Sequence, residues 1–117
     1  MTVLVCGSRG WTDERAIRDR LLRVMDEHGD GVLVLHGGAR GADHLTGKAA
    51  RLLGLSVREF PADWETFGHA AGIRRNDRML DERPDVVLAF WDGVSPGTRH
   101  AIIGALSRRI DIEVIFS

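Results

Sequence analysis

Residues 32–43 read VLVLHGGARGAD: an apolar run, then three glycines and two alanines within eight residues, then an acidic residue where a helical pattern opens. Residues 32–35 are apolar at every position. That is the pattern of a parallel strand covered on both faces. A strand that ends in a bare turn and gives way to a helix is half of a βαβ unit.

The same grammar recurs on either side. TVLVC (2–6) and DVVLAF (85–90) are further doubly apolar runs, while LSVRE (55–59) and IEVIF (112–116) alternate, as edge strands do. Helical patterns fill the intervals. In residues 12–28, Ile17, Leu21, Val24, Met25 and His28 share one face, with Thr12 or Asp13 to cap the start and Gly29 to end it. Residues 42–53 give a second helix with Leu45, Ala49 and Leu52 or Leu53 inward. Residues 70–82 give a third, which stops before Pro84. Residues 97–108 give a fourth with Ile102, Ala105 and Leu106 inward. Gly104 within it marks a weak point or a close approach of helix to sheet. Strict alternation predicts a Rossmann-like three-layer α/β/α sandwich with a five-stranded parallel sheet, formed by residues 1–117 as a single domain. In such folds ligands bind beyond the carboxyl ends of the strands.

Composition narrows the function. The chain has 117 residues, 16 Lys+Arg against 17 Asp+Glu, and a formal net charge of -1. That balance argues against a broad nucleic-acid footprint. The lone cysteine, Cys6, excludes an internal disulfide and reads as a small buried hydrophobe. No apolar run approaches the roughly 20 residues of a membrane span, and no signal-type segment opens the chain. A cytoplasmic protein away from membranes is expected. The five histidines are scattered without zinc spacing, and no GxSxG elbow occurs, so no metal is expected. Lys48 is the only lysine. Base composition or function could favour arginine so strongly, so position must decide which arginines matter.

Four strand-end loops carry the candidate chemistry. After the first strand, Gly7, Ser8 and Arg9 offer backbone N–H groups, a hydroxyl and a planar cation; a plain tight turn is the alternative. After the second, Gly37, Gly38 and Gly41 leave the backbone bare around Arg40. Asp43 either accepts from ribose hydroxyls or caps the helix, and His36 reads as a hydrogen-bonding residue at the strand end. After the third come Trp64 and the Arg74-Arg75-Asn76 segment; either arginine binds phosphate or pairs with Asp77 or Asp81. After the fourth, Gly93, Ser95, Gly97 and Thr98 form a second phosphate-binding turn. Trp11, Trp64 and Trp91 all follow strand ends, so one of them, Trp64 or Trp91 foremost, is expected against a ligand.

VCGSR (5–9), HGGARGAD (36–43), FPADW (60–64), AGIRRNDRML (71–80) and SPGT (95–98), in this order, resemble the SLOG superfamily, in particular its YspA/YpsA-related branch. The resemblance spans essentially the whole chain. It implies a Rossmann-like fold that binds nucleotides or nucleotide-derived ligands, commonly as a homodimer. Two relatives suggest other activities. Against the signature of the Lonely Guy-type phosphoribohydrolases, Arg75, Met79, Gly97 and Thr98 match, Asn76 replaces a lysine, and Ala101 stands where the catalytic glutamate belongs. Alanine does no acid–base work, and the neighbouring His100 lies ~100° away around a helix. Gly7–Arg9, Gly38–Asp43 and Arg75–Asn76 also resemble DNA-processing protein A, a binder of single-stranded DNA. The expected function is a sensor or effector that binds a small-molecule nucleotide and requires no cofactor. Arg9, Arg40 and Arg75 would meet phosphate and Asp43 ribose. A phosphoribohydrolase-like enzyme and a single-strand nucleic-acid binder are the alternatives. The first of these would need Asp43, Asp63 or Asp92 for acid–base work.

Overall fold

The computed structural model describes residues 1–29 and 31–116. Five parallel strands form one sheet: β1 (Thr2–Gly7), β2 (Leu33–His36), β3 (Ser56–Glu59), β4 (Val86–Trp91) and β5 (Asp111–Phe116). Their order across the sheet is β3-β2-β1-β4-β5. The chain winds outward from β1 to one edge, then returns to the other side of β1. The doubly apolar runs occupy the three central positions, and the alternating runs form the two edges. The loops after β1 and β4 therefore part at the switch point, where doubly wound folds open a crevice.

Between the strands lie α1 (Glu14–His28), α2 (Ala42–Leu52), the short α3 (Trp64–Phe67), a 3₁₀ turn (Gly68–Ala70), α4 (Ala71–Asp81) and α5 (Pro96–Ser107). Each central strand buries both faces. Val3, Val5, Val34, Leu88 and Phe90 pack with Ile17 and Leu21 of α1 and Ala49 of α2. Leu4, Cys6, Leu35, Val87 and Ala89 pack with Met79 and Leu80 of α4 and Ala101 and Ala105 of α5. Full burial of one Val, Leu or Ile contributes about 1.5–3 kcal/mol, so these two layers supply most of the driving force. Among the described residues no helix is long and apolar enough to cross a membrane.

Several local expectations are corrected. Asp13, not Thr12, caps α1, accepting from Ala16 N at 3.1 Å. His28 is exposed, because it lies at the last turn beyond the reach of the sheet. Leu52 and Leu106 point outward at 73% and 59% exposure; the smaller Ala49, Ala50 and Ala105 take the inner positions and let the helices lie close to the sheet. The third helix is found at Ala71–Asp81, close to the expected 70–82, but it is preceded by a further short helix, α3, which Asp63 caps by accepting from Thr66 N, and by the 3₁₀ turn. Gly104 marks a helix–helix approach, not a helix–sheet one: a Cβ there would lie 2.6 Å from Leu80 Cδ1 of α4.

Gly41 has the opposite role to the one expected of a ligand-facing glycine. Its φ is +71°, and a Cβ would collide with the carbonyl oxygens of Ser8 and Arg9. Its missing side chain lets the second loop cross directly over the first. Gly41→Ala is therefore expected to destabilise the fold by about 2–4 kcal/mol, from positive-φ strain plus overpacking. Urea denaturation measures this, and an unchanged midpoint would refute the close crossing.

Candidate functional site

The carboxyl ends of β1, β2 and β4, with the start of α4, enclose a cavity of about 480 Å³. Its floor is Cys6 and Gly7, and Met79 closes one side. Arg9, Asp43, Arg75 and Asn76 supply charge and hydrogen-bonding groups, and Trp64 forms a half-exposed wall. Burial pushes the Cys6 thiol far above its ordinary range, which keeps it a neutral apolar surface.

Asp43 dominates the electrostatics. It lies in the first turn of α2, yet it does not cap that helix; Gly41 occupies the cap position without a side-chain bond. The carboxylate folds back so that Oδ2 accepts from Ala39 N at 3.2 Å, bracing its own loop. Oδ1 is buried and has no hydrogen-bond partner among the described residues. Burial pushes the Asp43 pKa up to about 6, against the opposing pull of Arg75, the Ala39 and Gly37 amides, and Arg9.

Arg75 is positioned by its neighbours rather than by an ion pair. Nη1 donates to Gly37 O at 2.6 Å and Nε donates to Asn76 Oδ1 at 3.0 Å. Asn76 Nδ2 in turn donates to Gly97 O at 3.2 Å, so α4 is laced to both glycine-rich loops. Nη2 has no hydrogen bond among the described residues and stays available. Gly37 is glycine because the Arg75 guanidinium occupies the space a Cβ would need. Burial pulls the Arg75 pKa below its ordinary value, with Asp43 opposing.

The expected residues divide into those that line the cavity and those that build it. Gly7, Arg9, Asp43, Trp64, Arg75, Asn76, Ser95, Gly97 and Thr98 border this cavity, while Gly37, Gly38 and Arg40 border an adjoining hollow. Ser8, Gly41 and Gly93 border neither. Ser8 is buried, with Oγ accepting from Asp92 N at 3.0 Å, so its hydroxyl is spent inside the protein. Gly93 shapes the fourth loop at φ +86° on the side of Phe116. Ser95 borders the cavity, but its amide and hydroxyl both donate to Asp92, at 2.7 and 2.6 Å. Those donors hold the Asp92 pKa down at about 2. The turn is thus closed by the protein's own carboxylate. Among the described residues the Gly97 and Thr98 amides have no hydrogen-bond partner there, at the start of a helix with no side-chain cap.

The aromatic and arginine expectations also separate. Trp11 is buried edge-on to Phe90 at 5.4 Å and pins the approach to α1. Trp91 packs on Phe116 and donates to Ser95 O. Only Trp64 of the three borders the cavity, with Arg9 6.0 Å from its ring centre. Arg74 pairs with neither Asp77 nor Asp81; it lies over Phe67, and Arg108 takes both aspartates. His36 has the structural role expected, since Nδ1 accepts from Gly38 N at 3.0 Å and burial keeps the ring neutral. Ala101 is buried under α5 against the sheet and contributes no polar group. His69, Gly72 and Ile73 complete the cavity wall, and their sequence carries no chemical signal that points there. Among the described residues no three His, Cys, Asp or Glu side chains assemble as metal ligands.

A carboxyl with a raised pKa favours the folded state most when protonated. That contribution is complete below the unfolded value near 4 and is lost as pH rises through about 6. Asp43→Asn keeps an acceptor for Ala39 N but removes the buried charge. It is expected to match wild type near pH 4 and to gain up to roughly 3 kcal/mol by pH 7.5, about 1.4 kcal/mol per pKa unit. Thermal melts across that range decide it, and a pH-independent difference would contradict the buried charge.

Comparison with known proteins supplies the context. Residues 1–67 match the model of the YspA, cpYpsA-related SLOG family. That span takes in the loops after β1 and β2 and ends at α3, before Arg75. The Gene 61 protein of Mycobacterium phage D29 is 42% identical over an alignment of 105 residues, with 86% of this chain and 84% of that protein covered. Among solved structures, the X-ray structure of TM1055, a structural genomics target, matches with a TM-score of 0.68 at 24% identity. The match covers 95% of this chain and 71% of TM1055, and it shows a shared Rossmann-like fold.

Proposed function

The chain belongs to the YspA, cpYpsA-related SLOG family, and from that membership we propose that it binds a small-molecule nucleotide in the cavity above β1, β2 and β4. One observation carries the reading: the unpartnered Asp43 Oδ1 lies buried in the same cavity as two guanidiniums, Arg9 and Arg75. A buried acceptor without a partner is unfavourable by about 1–3 kcal/mol, and a ligand hydroxyl relieves it. The arginines and the open Gly97 and Thr98 amides suit phosphate oxygens. A nucleotide joins both requirements in one molecule. The role is that of a sensor or effector acting in the cytoplasm, as a homodimer and without a further cofactor.

Asp43 also supports a second reading, nucleotide hydrolysis. A carboxyl with a pKa near 6 can exchange a proton close to neutral pH, which Ala101 cannot. Release of free base from nucleoside monophosphates separates this reading from simple binding.

Thermal-shift screening of the nucleoside mono-, di- and triphosphates tests the proposal. A true ligand at 100 times its Kd stabilises the fold by about 2.7 kcal/mol. Arg75→Ala is expected to weaken nucleotide binding roughly 10- to 100-fold, the worth of a charge-assisted hydrogen bond. No stabilisation by any nucleotide would overturn the reading.

A further inference from the structure

β5 forms one edge of the sheet, and among the described residues no strand pairs with its outer side. A free strand edge presents unpaired N–H and C=O groups to any strand that can reach them. Monomeric proteins blunt such edges with short strands, lysines, prolines or bulges. The other edge is blunted: β3 has 4 residues, and its Arg58 is paired with Glu82. β5 is not. It runs for 6 residues in unbroken register with β4 and contains neither lysine nor proline.

The side chains beside this edge are apolar. Ile112 packs with the α4 and α5 layer and Ile115 with the α1 layer, so alternation puts Val114 and Phe116 on the α5 side. Phe116 is 62% exposed and stands 5.9 Å from Trp91, ring to ring. α5 turns Gly104 and Arg108 toward α4, and Ala101 and Ala105 toward the sheet. Ile103 and Leu106 are left exposed on the rest of the helix. None of Ile103, Leu106, Val114 and Phe116 lines either hollow above the strand ends.

Charge and register select the occupant. When β5 pairs antiparallel with a second copy of itself about a two-fold axis, residues on the same face oppose one another. Centred on Glu113, two glutamates would stand opposite. Centred on Ile112, Asp111 would face the second copy's Glu113. Both registers set like charges against each other. A centre at Ile115 pairs only residues 114–116 within β5. Centred on Val114, the valine meets its own mate, Ile112 meets Phe116, and Glu113 meets Ile115. No like charges oppose there, and Glu113 keeps its ion pair with Arg20. The same axis brings the exposed flanks of the two α5 helices together, which extends the contact toward the roughly 1,200–2,000 Å² of a stable interface.

We propose that two copies of the chain join edge to edge through β5, antiparallel about Val114, into one continuous sheet with five strands from each copy. This goes beyond nucleotide binding and gives the homodimer of the reading above a definite surface.

Sedimentation velocity and an engineered disulfide test it. The wild type is expected to sediment as a dimer at micromolar concentration. Val114→Cys places a thiol at the two-fold axis, where paired Cα atoms lie about 4.5–5.5 Å apart, within disulfide reach. The native Cys6 is buried, so oxidation is expected to convert this variant to a covalent dimer. Val114→Lys sets two ammoniums against each other and is expected to raise the dimer dissociation constant roughly 100-fold. Leu52→Lys, on the exposed side of α2, is expected to leave it unchanged. If thermal melts show that Val114→Lys does not fold, the disulfide decides alone. A monomeric wild type would overturn both this interface and the homodimer. A dimer that neither cross-links through Val114→Cys nor weakens with Val114→Lys would overturn the β5 interface alone. Nucleotide binding stands or falls separately, by the thermal-shift screen.

Discussion

Ser8, buried just past β1, makes hydrogen bonds that tie its own loop to two others, at the end of β4 and at the start of α2. Its N–H donates to Phe90 O at the end of β4, and its carbonyl accepts from Ala42 N at the start of α2. Its hydroxyl accepts from Asp92 N in the fourth loop. Each such bond is worth only about 1 kcal/mol net, but leaving any of these buried groups unpaired would be more unfavourable. The three loops are therefore constrained together, and the cavity between them has a definite shape before any ligand arrives. Gly41 belongs to the same constraint, because its missing side chain permits the crossing that brings Ala42 N to Ser8 O.

That knot sets the electrostatics above it. It holds α2 so that Asp43 points inward, where the carboxylate loses solvent while Oδ1 stays without a hydrogen-bond partner among the described residues. It holds the second loop where Gly37 O can take the Arg75 guanidinium, whose other nitrogens then face Asn76 and the cavity. A cation and an acid are thus kept near each other without neutralising each other through a direct bond. Such an arrangement leaves binding capacity unspent, whereas the tight Asp92–Ser95 turn shows what a satisfied carboxylate looks like in the same fold.

Much of the architecture was legible in the residues. Runs apolar on both faces marked β1, β2 and β4 as central strands, and alternation in LSVRE and IEVIF marked the two edges. Arg9, Asp43, Trp64, Arg75 and Asn76 were named from their loops, and these residues meet around one cavity. The destination of the small residues was not legible. Ser8 and Gly41 looked ligand-facing because loop glycines and hydroxyls often are; their real partners lie on other loops, 84 residues away in the case of Ser8 and Asp92. Contacts at that separation leave no local periodicity. The short α3 left no sequence signal for a different reason: Asp63 begins a helix of 4 residues, too short to register as a period.

The central claim is that Asp43 and Arg75 hold unspent binding capacity for one nucleotide. A crystal structure of the protein with its best-binding nucleotide tests this most directly. The account predicts a phosphate oxygen about 3 Å from Arg75 Nη2 and a ribose hydroxyl at the same distance from Asp43 Oδ1, a normal hydrogen-bond length. A nucleotide bound elsewhere on the surface, with Asp43 Oδ1 still unpartnered, would contradict it.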